Sequence, residues 1–265
     1  MISNLLNIRR MAVRLPTRLA IGTLVLATMA CGTKEAPGPL EPTQHQGRIR
    51  FVNLIINPAL NPVNAILENV PFGVNLGFTA STPSSLPAPN TAIYSAIYAG
   101  SRNIVLKKTA DTSVTVANET FSVSPTTDNT LYAVGGAGGN PVAWRITIDD
   151  NSAVASGTTR LRFVNLRFAT GDVDVFVTAP NADLSTATPD VHLPSGTWSS
   201  YITTVTPGTY QVRVVPSATA PANRSSNVVA SISSLALASG AARTIVVADN
   251  ANGGTPSTAF VLTDQ

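Results

Sequence analysis

Cysteine and histidine are almost absent from this sequence. Its 265 residues include one cysteine and two histidines, which excludes a disulfide framework and a zinc site built from Cys and His. Charged residues make up only 12% of the chain, whereas hydrophobic residues make up 44%, so the chain is not intrinsically disordered. At roughly 100–200 residues per domain, the length allows one large domain or two small ones.

The first 31 residues differ from the rest and contain all three methionines and the only cysteine. Four arginines and no acidic residue precede an uncharged run, residues 19–30, that ends directly before Cys31. A basic start, a short apolar run and a small residue at the cut are typical of a secretory signal peptide. The run is also shorter than the roughly 20 residues that a membrane-spanning helix needs. We predict a signal peptide over residues 1–30, with Met11 as an alternative start.

The cysteine after Ala30 makes this segment resemble a bacterial lipoprotein leader, although Thr28 stands where leucine is usual. The resemblance implies that Cys31 is lipidated and anchors an extracytoplasmic protein to a membrane. Two or more acyl chains give stable anchoring, because each buried methylene contributes about 0.8 kcal/mol. Gly32, in place of aspartate, favours the outer membrane. A cleaved leader with a free thiol at Cys31 is the alternative.

Removal of this leader changes the charge of the protein. The whole chain has 17 basic and 14 acidic residues, a net charge of +3. Four arginines precede Cys31 and every acidic residue follows it, so residues 31–265 keep 13 basic and 14 acidic residues, a net charge of −1. A nearly neutral protein offers no electrostatic footprint for nucleic acid, and we exclude nucleic acid as a partner. Residues 31–47, rich in Pro, Gly and polar residues after the cysteine, are predicted to be a flexible tether.

The rest of the chain repeats itself. The sequence RIRFVNL at 48–54 returns as RLRFVNL at 160–166, an offset of 112. A repeat this long indicates two whole domains rather than a solenoid. We predict a first domain over 48–150 and a second over 158–265.

Both repeats consist of short runs rich in Val, Ile, Thr, Tyr and Phe, separated by Pro, Gly, Asn and Ser. No sustained helical period appears outside the leader. This pattern predicts an all-β protein of two tandem antiparallel β-sandwiches. The predicted strands are 48–56, 63–67, 103–107, 113–117, 130–134 and 143–148, then 160–167, 173–178, 200–205, 209–215, 228–235, 243–248 and 258–263.

The opening strand of each repeat alternates charged and apolar residues. Arg48 and Arg50 share one face, as do Arg160 and Arg162 in the second copy. The alternation predicts a core face and a solvated face, with the arginines paired to acids across strands; an anion site is the alternative. The candidate partners on the next strand are Asp172 and Asp174.

The RIRFVNL opening, the VDVFV strand at 173–177 and the VPFG turn at 70–73 resemble the bacterial domain-of-unknown-function family 4397. The resemblance covers nearly all of 48–265. It implies extracytoplasmic, immunoglobulin-like β-sandwiches, often in tandem on lipoproteins or cell-surface proteins. The chain departs from the family pattern at Asn64, where an acid is usual, and at Ser195. The family has no established activity, so the resemblance implies no reaction.

No catalytic or metal site is predicted. Asp190, His192 and Ser195 share one loop, whereas a catalytic triad converges from separate elements. The acidic pairs at 149–150 and 172–174 could serve a glycosidase, but their positions at the junction and on a strand explain them. A weak calcium site at 149–151 is an alternative, although no EF-hand-like loop is present. The glycine-rich loops 135–139 and 249–254 lack the Lys-Ser/Thr of a phosphate loop and are predicted hairpin loops.

We therefore expect a non-catalytic, lipid-anchored structural or interaction module without a cofactor. Its partners are the membrane, through Cys31, and a protein or polysaccharide of the cell envelope. The alternative is a carbohydrate- or cell-wall-binding module in which Trp198 and Tyr201 stack on sugar rings. A hydrolase is the third hypothesis, and it requires His192 in a deep pocket with an acid and a hydroxyl.

Overall fold

The part of the chain that the structure describes folds as β-strands. The structure, a computed structural model, describes residues 45–86, 92–168, 171–203 and 205–264. This part contains 17 strands, two short 3-10 turns and no α-helix, so the predicted all-β class is confirmed. None of its helical turns is long and apolar enough to cross a membrane. The predicted signal peptide and Cys31 lie outside the described residues.

Among the described residues, the first repeat contributes nine strands and the second contributes eight. In the first repeat they are β1 (Gln46–Ile55), β2 (Val63–Leu67), β3 (Val70–Leu76), β4 (Ser81–Thr82), β5 (Ser95–Tyr98), β6 (Gly100–Lys108), β7 (Asp111–Val123), β8 (Asp128–Gly135) and β9 (Val142–Asp149). In the second they are β10 (Arg160–Leu166), β11 (Val173–Thr178), β12 (Val191–Leu193), β13 (Thr197–Trp198), β14 (Gly208–Pro216), β15 (Ala230–Leu237), β16 (Ala242–Ala248) and β17 (Thr258–Thr263).

The strands of each repeat form two sheets with the same connectivity. In the first repeat one sheet has the order β4-β1-β8-β9, with β5 also paired to β1, and the other has β3-β2-β6-β7. In the second repeat the orders are β13-β10-β16-β17 and β12-β11-β14-β15. The sheets differ from the predicted antiparallel pattern at one pairing in each repeat, because β1 runs parallel to β8 and β10 runs parallel to β16. Parallel neighbours need a long crossover, and here the intervening chain supplies the whole second sheet.

Each pair of sheets encloses its own core. Odd-numbered residues of the opening strand point inward: Ile49 and Phe51 pack with Ala65 and Leu106 of the facing sheet. In the second repeat Leu161 and Phe163 do the same with residues of β11 and β14. This alternation matches the period of two that a strand imposes, and it makes each repeat a β-sandwich.

The opposite faces of these two sheets are also buried, because they pack against each other. A third apolar cluster joins even-numbered residues of both repeats, among them Val52, Leu54, Val164 and Leu166. The described residues therefore form four stacked sheets, and β1 and β10 lie in the two inner ones. The prediction of a solvated face on the opening strands is wrong.

Several strand limits differ from the predicted ones. Strand β1 begins at Gln46, inside the segment assigned to the tether. The hairpin of β6 and β7 is longer than predicted, and strands β3, β4, β5, β12 and β13 were not predicted. Strand β3 includes the VPFG segment at 70–73, which was interpreted as a turn. Within the predicted strand 200–205, the described residues 200–203 and 205 contribute one isolated bridge, between Ile202 and Leu161.

Candidate functional site between the two repeats

Two buried arginines mark the contact between the repeats. Arg50 and Arg162 occupy equivalent positions on β1 and β10, and each residue is only 2% exposed. They lie on the even-numbered faces, which turn towards the other repeat. A charge buried this deeply needs a charged partner and further hydrogen bonds.

Arg50 reaches the end of the last strand of the second repeat. Its Nη2 donates to Oδ1 of Asp264 over 2.9 Å, and its Nη1 donates to the carbonyl oxygen of Thr263 over 2.7 Å. Its Nε and Nη2 also donate to Oγ1 of Thr130 over 3.1 and 3.0 Å. The side chain is thus held by both repeats.

Arg162 makes the reciprocal contacts with the first repeat. Its Nη2 donates to Oδ1 of Asp149 over 2.5 Å, and its Nη1 donates to the carbonyl oxygen of Ile148 over 3.1 Å. Its Nε and Nη2 donate to Oγ1 of Thr244 over 3.2 and 3.0 Å. Burial opposes the charge, but the carboxylate of Asp149 keeps the pKa of Arg162 above its ordinary value.

A tyrosine lies on each of these arginines. The Cζ atom of Arg50 is 4.6 Å from the ring centre of Tyr94, and that of Arg162 is 4.8 Å from the ring centre of Tyr201, within the range of a cation–π contact. Tyr94 donates its hydroxyl proton to Asp149 over 2.8 Å, and Tyr201 donates to Asp264 over 3.3 Å. Burial raises the pKa of both tyrosines, so both hydroxyls keep their proton.

Each carboxylate therefore accepts bonds from its own repeat and from the other one. Thr130 donates to Asp149 in the first repeat, and Thr244 donates to Asp264 over 2.6 Å in the second. This reciprocal arrangement holds the repeats in one relative position, because separating them would strand four buried charges. We refer to the following residues as the crossed network: Arg50, Tyr94, Thr130, Asp149, Arg162, Tyr201, Thr244 and Asp264.

An open groove of about 340 Å³ lies beside the crossed network. Ile148 and Asp150 of the first repeat form one wall, and residues 198–201 of the second repeat form the other. Ile148 is 68% exposed and Trp198 is 41% exposed. The groove thus presents apolar surface from both repeats.

Asp150 supplies a charged acceptor at this groove. Its Oδ2 accepts a hydrogen bond from Nη1 of Arg160 over 2.8 Å. Hydrogen bonds from the hydroxyl and the backbone N–H of Ser152 keep the pKa of Asp150 below its ordinary value. About half of its side chain remains exposed, so an ionised carboxylate faces solvent.

The two residues predicted to stack on sugars, Trp198 and Tyr201, both line this groove. They differ in accessibility. The ring of Tyr201 is covered by the guanidinium groups of Arg160 and Arg162, whose Cζ atoms lie 5.1 and 4.8 Å from the ring centre. Trp198, in contrast, is exposed. Only the indole of Trp198 is therefore well placed to meet a ligand.

The predicted acidic partners of the arginines are wrong. Asp172 accepts a hydrogen bond from the backbone N–H of Ser195 over 3.1 Å, and Asp174 lies 2.9 Å from Nδ1 of His192. The reason is geometric. Strand β11 packs against the core face of β10, whereas Arg160 and Arg162 point from the opposite face.

The loop residues considered for catalysis are not assembled into a triad. The side chain of His192 is 55% exposed and contacts Asp174. The hydroxyl of Ser195 donates to the carbonyl oxygen of Arg167 over 2.5 Å, and Asp190 accepts from the backbone N–H of Val177. Among the described hydrogen bonds, none joins His192 to Asp190 or Ser195.

The residues of the alternative calcium site make hydrogen bonds to other groups: Asp150 accepts from Arg160, and Nδ2 of Asn151 donates to Asp128 over 2.6 Å. Asp149 is occupied by the crossed network, and the described residues contain no group of three or more His, Cys, Asp or Glu side chains that could hold a metal ion. The two glycine-rich segments connect β8 to β9 and β16 to β17, as predicted for hairpin loops.

A family model matches the first of these sandwiches. Residues 48–176 match the model described as "Domain of unknown function (DUF4397)". A DUF4397 domain is present in this chain. The DUF4397 match spans the first repeat and β10, and it ends within β11, so it includes both arginines of the crossed network. No curated protein matches the chain.

Proposed function

We propose that this protein is a lipid-anchored, extracytoplasmic and non-catalytic interaction module. For the folded part, the proposal rests on the crossed network. The buried charged groups at the junction are paired with one another and hold the repeats together, so they are not free to act on a substrate. What remains accessible there is a groove with apolar walls, which suits binding rather than catalysis. The role of such a module is to present a fixed surface outside the cytoplasm to a protein or polysaccharide of the envelope.

We further propose that the second sandwich is a second DUF4397 domain and that both are immunoglobulin-like. The shared strand order, the equivalent parallel pairs β1–β8 and β10–β16, and the recurring RIRFVNL motif support this proposal. The domain limits 48–150 and 158–265 follow from the same repeat.

The anchor is proposed from residues 1–31 and is tested by labelling. Cells that express the protein are grown with radiolabelled palmitate, and the protein is then captured and counted. Label in the native protein but not in Cys31→Ser supports the anchor, and equal label in both contradicts it. Separation of inner and outer membranes tests the proposed outer-membrane location.

Carbohydrate or cell-wall binding is the second candidate function, and the exposed indole of Trp198 favours it. The test is co-sedimentation of the purified full-length protein with isolated cell-wall sacculi. Retention in the pellet that Trp198→Ala abolishes supports this function, and full recovery in the supernatant contradicts it.

A further inference from the structure

The charges at the groove between the repeats balance. Three charged side chains line it, those of Asp149, Asp150 and Arg162, and Arg160 lies beside it as the partner of Asp150. Arg162 is paired with Asp149 at its floor, with both side chains at most 2% exposed. Arg160, with a nearly buried side chain, is paired with Asp150. Because both cations are engaged, the groove offers no free positive charge to an anionic ligand. Because both carboxylates are paired, it attracts a cationic ligand only weakly.

The groove combines an aromatic ring with hydrogen-bonding groups. The exposed Trp198 supplies a flat apolar face, and Ile148 supplies a second apolar surface on the opposite wall. The half-exposed carboxylate of Asp150 retains lone pairs beyond its bonds to Arg160 and Ser152. An alternation of C–H faces and hydroxyl groups is the ligand chemistry that matches such a surface.

The size and shape of the groove indicate a small unit of a longer chain. Its volume of about 340 Å³ lies at the low end of the range for small-molecule sites, roughly 300–1,000 Å³. Trp198 is exposed at the edge rather than enclosed, so a ligand chain can continue beyond the groove.

We infer that this groove binds an uncharged glycan, with a pyranose ring stacked on Trp198, its hydroxyl groups donating to Asp150, and Ile148 packed against its apolar edge. The inference rests on the carbohydrate-binding function proposed for the protein and specifies its site and its ligand class. Because the walls belong to different repeats, the crossed network fixes the position of one wall relative to the other.

The test is a fluorescence titration of the full-length protein, purified in detergent, with neutral hexasaccharides of glucose, mannose and N-acetylglucosamine. An oligogalacturonate of the same length serves as the charged probe. We expect a saturable change in tryptophan emission with at least one neutral probe, at a dissociation constant of about 1 mM or below. The other tryptophan, Trp144, packs beside Phe51, and the variant Trp144→Phe removes its emission. The ligand-induced change in emission must still be seen in this variant, because only Trp198 then reports it.

Matched variants decide whether the groove is responsible, with affinity followed by calorimetry. Trp198→Ala is expected to weaken binding by roughly tenfold or more, and Ile148→Ala by a smaller factor. Tyr98→Ala, which truncates an exposed aromatic residue elsewhere on the first repeat, leaves the affinity unchanged. Circular dichroism and melting curves verify that each variant is folded.

Three results overturn the inference: no neutral probe binds at about 10 mM, Trp198→Ala binds as the native protein does, or the oligogalacturonate binds at least as tightly. Different results would contradict the proposed cell-wall function and the proposed anchor. Sacculus binding that Trp198→Ala retains leaves a cell-wall role intact but removes this groove from it, and loss of palmitate label affects only the anchor.

Discussion

The guanidinium of Arg50 and the carboxylate of Asp264 are hydrogen-bonded over 2.9 Å, although 214 residues separate them along the chain. Arg162 and Asp149 make the reciprocal pair. Two sandwiches that could have been joined only by a linker are thus fixed to each other through their first and last strands. An isologous contact within a single chain is the arrangement expected when two similar repeats pack by a twofold relation.

Loss of one buried partner should strongly destabilise the protein. Arg50→Met removes the charge that compensates Asp264, and we expect the free energy of unfolding to fall by about 3–5 kcal/mol. Arg48→Met is the comparison on the same face of β1, because the side chain of Arg48 is 54% exposed. Its partner Asp128 is nearly buried but keeps a hydrogen bond from the side chain of Asn151. We expect that variant to lose less stability than Arg50→Met does, because solvent still reaches the site of the Arg48 side chain. Urea unfolding measures both.

A double-mutant cycle separates the interaction energy of Arg50 with Asp264 from the stability that is lost because truncation of Arg50 leaves a cavity. Arg50→Met combined with Asp264→Asn should lose less stability than the sum of the two single variants, since the second change removes the stranded charge. Strict additivity would show that the two residues do not interact energetically.

Removal of a buried hydroxyl should stabilise the contact between the repeats. Tyr132 is fully buried in the cluster that joins the sandwiches, and its hydroxyl has no hydrogen-bond partner among the described residues. We expect Tyr132→Phe to raise the free energy of unfolding by about 1 kcal/mol, because an unsatisfied buried polar group is unfavourable. Tyr94→Phe, which deletes a hydroxyl that donates to Asp149, should lower it by about 1 kcal/mol. This explanation would be refuted if Tyr132→Phe and Tyr94→Phe changed the free energy of unfolding in the same direction.

Much of the sandwich architecture could be predicted from sequence periodicity. Ile49 and Phe51 alternate with Arg48 and Arg50, and the structure places the first pair in the core. The RIRFVNL repeat likewise locates equivalent strands in the two sandwiches. Two-residue strands such as β13 could not be predicted, because two residues are too few to show an alternating pattern.

The contact between the repeats was missed because the arginines dominated the pattern. Arg50 and Arg162 indicated a solvated face, but Val52 and Leu54 continue that same face of β1, and both are buried against the second repeat. Apolar residues on both faces of a strand, interrupted here only by Asn53 between residues 51 and 56, are typical of a strand covered on both sides. The acidic partners could not be inferred from spacing, since Asp149 and Asp264 lie far from the arginines in sequence or in another repeat.

Alkaline pH should lower the free energy of unfolding, because the buried tyrosines resist ionisation in the folded protein. Burial raises the pKa of Tyr132 to about 12, above the value of about 10 in an unfolded chain. A phenol whose pKa is raised on folding contributes stability that is complete below about pH 10 and is lost as the pH rises towards 12. We expect Tyr132 alone to account for a loss of about 2 kcal/mol by pH 12, with Tyr94 and Tyr201 adding to it.

Urea unfolding between about pH 9 and pH 12, together with absorbance of tyrosinate, measures this effect. The Tyr132→Phe variant should lose stability less steeply over the same interval. A native protein whose stability is constant up to pH 12 would exclude a role for the buried tyrosines.

A close backbone contact at the start of β1 yields the last prediction. A Cβ atom on Gly47 would lie 2.5 Å from Cγ1 of Val123, 2.7 Å from the carbonyl oxygen of Ser124 and 2.9 Å from that of Thr127. Two of these atoms belong to the backbone and cannot move by a change of rotamer, so Gly47→Ala should lower the free energy of unfolding by about 1–3 kcal/mol. Gly77→Ala is the control, because its Cβ would meet no atom within 4 Å, and we expect it to be neutral or to add up to about 1 kcal/mol. Equal melting temperatures for the two variants would mean that residues 46–47 belong to the tether rather than to the sheet.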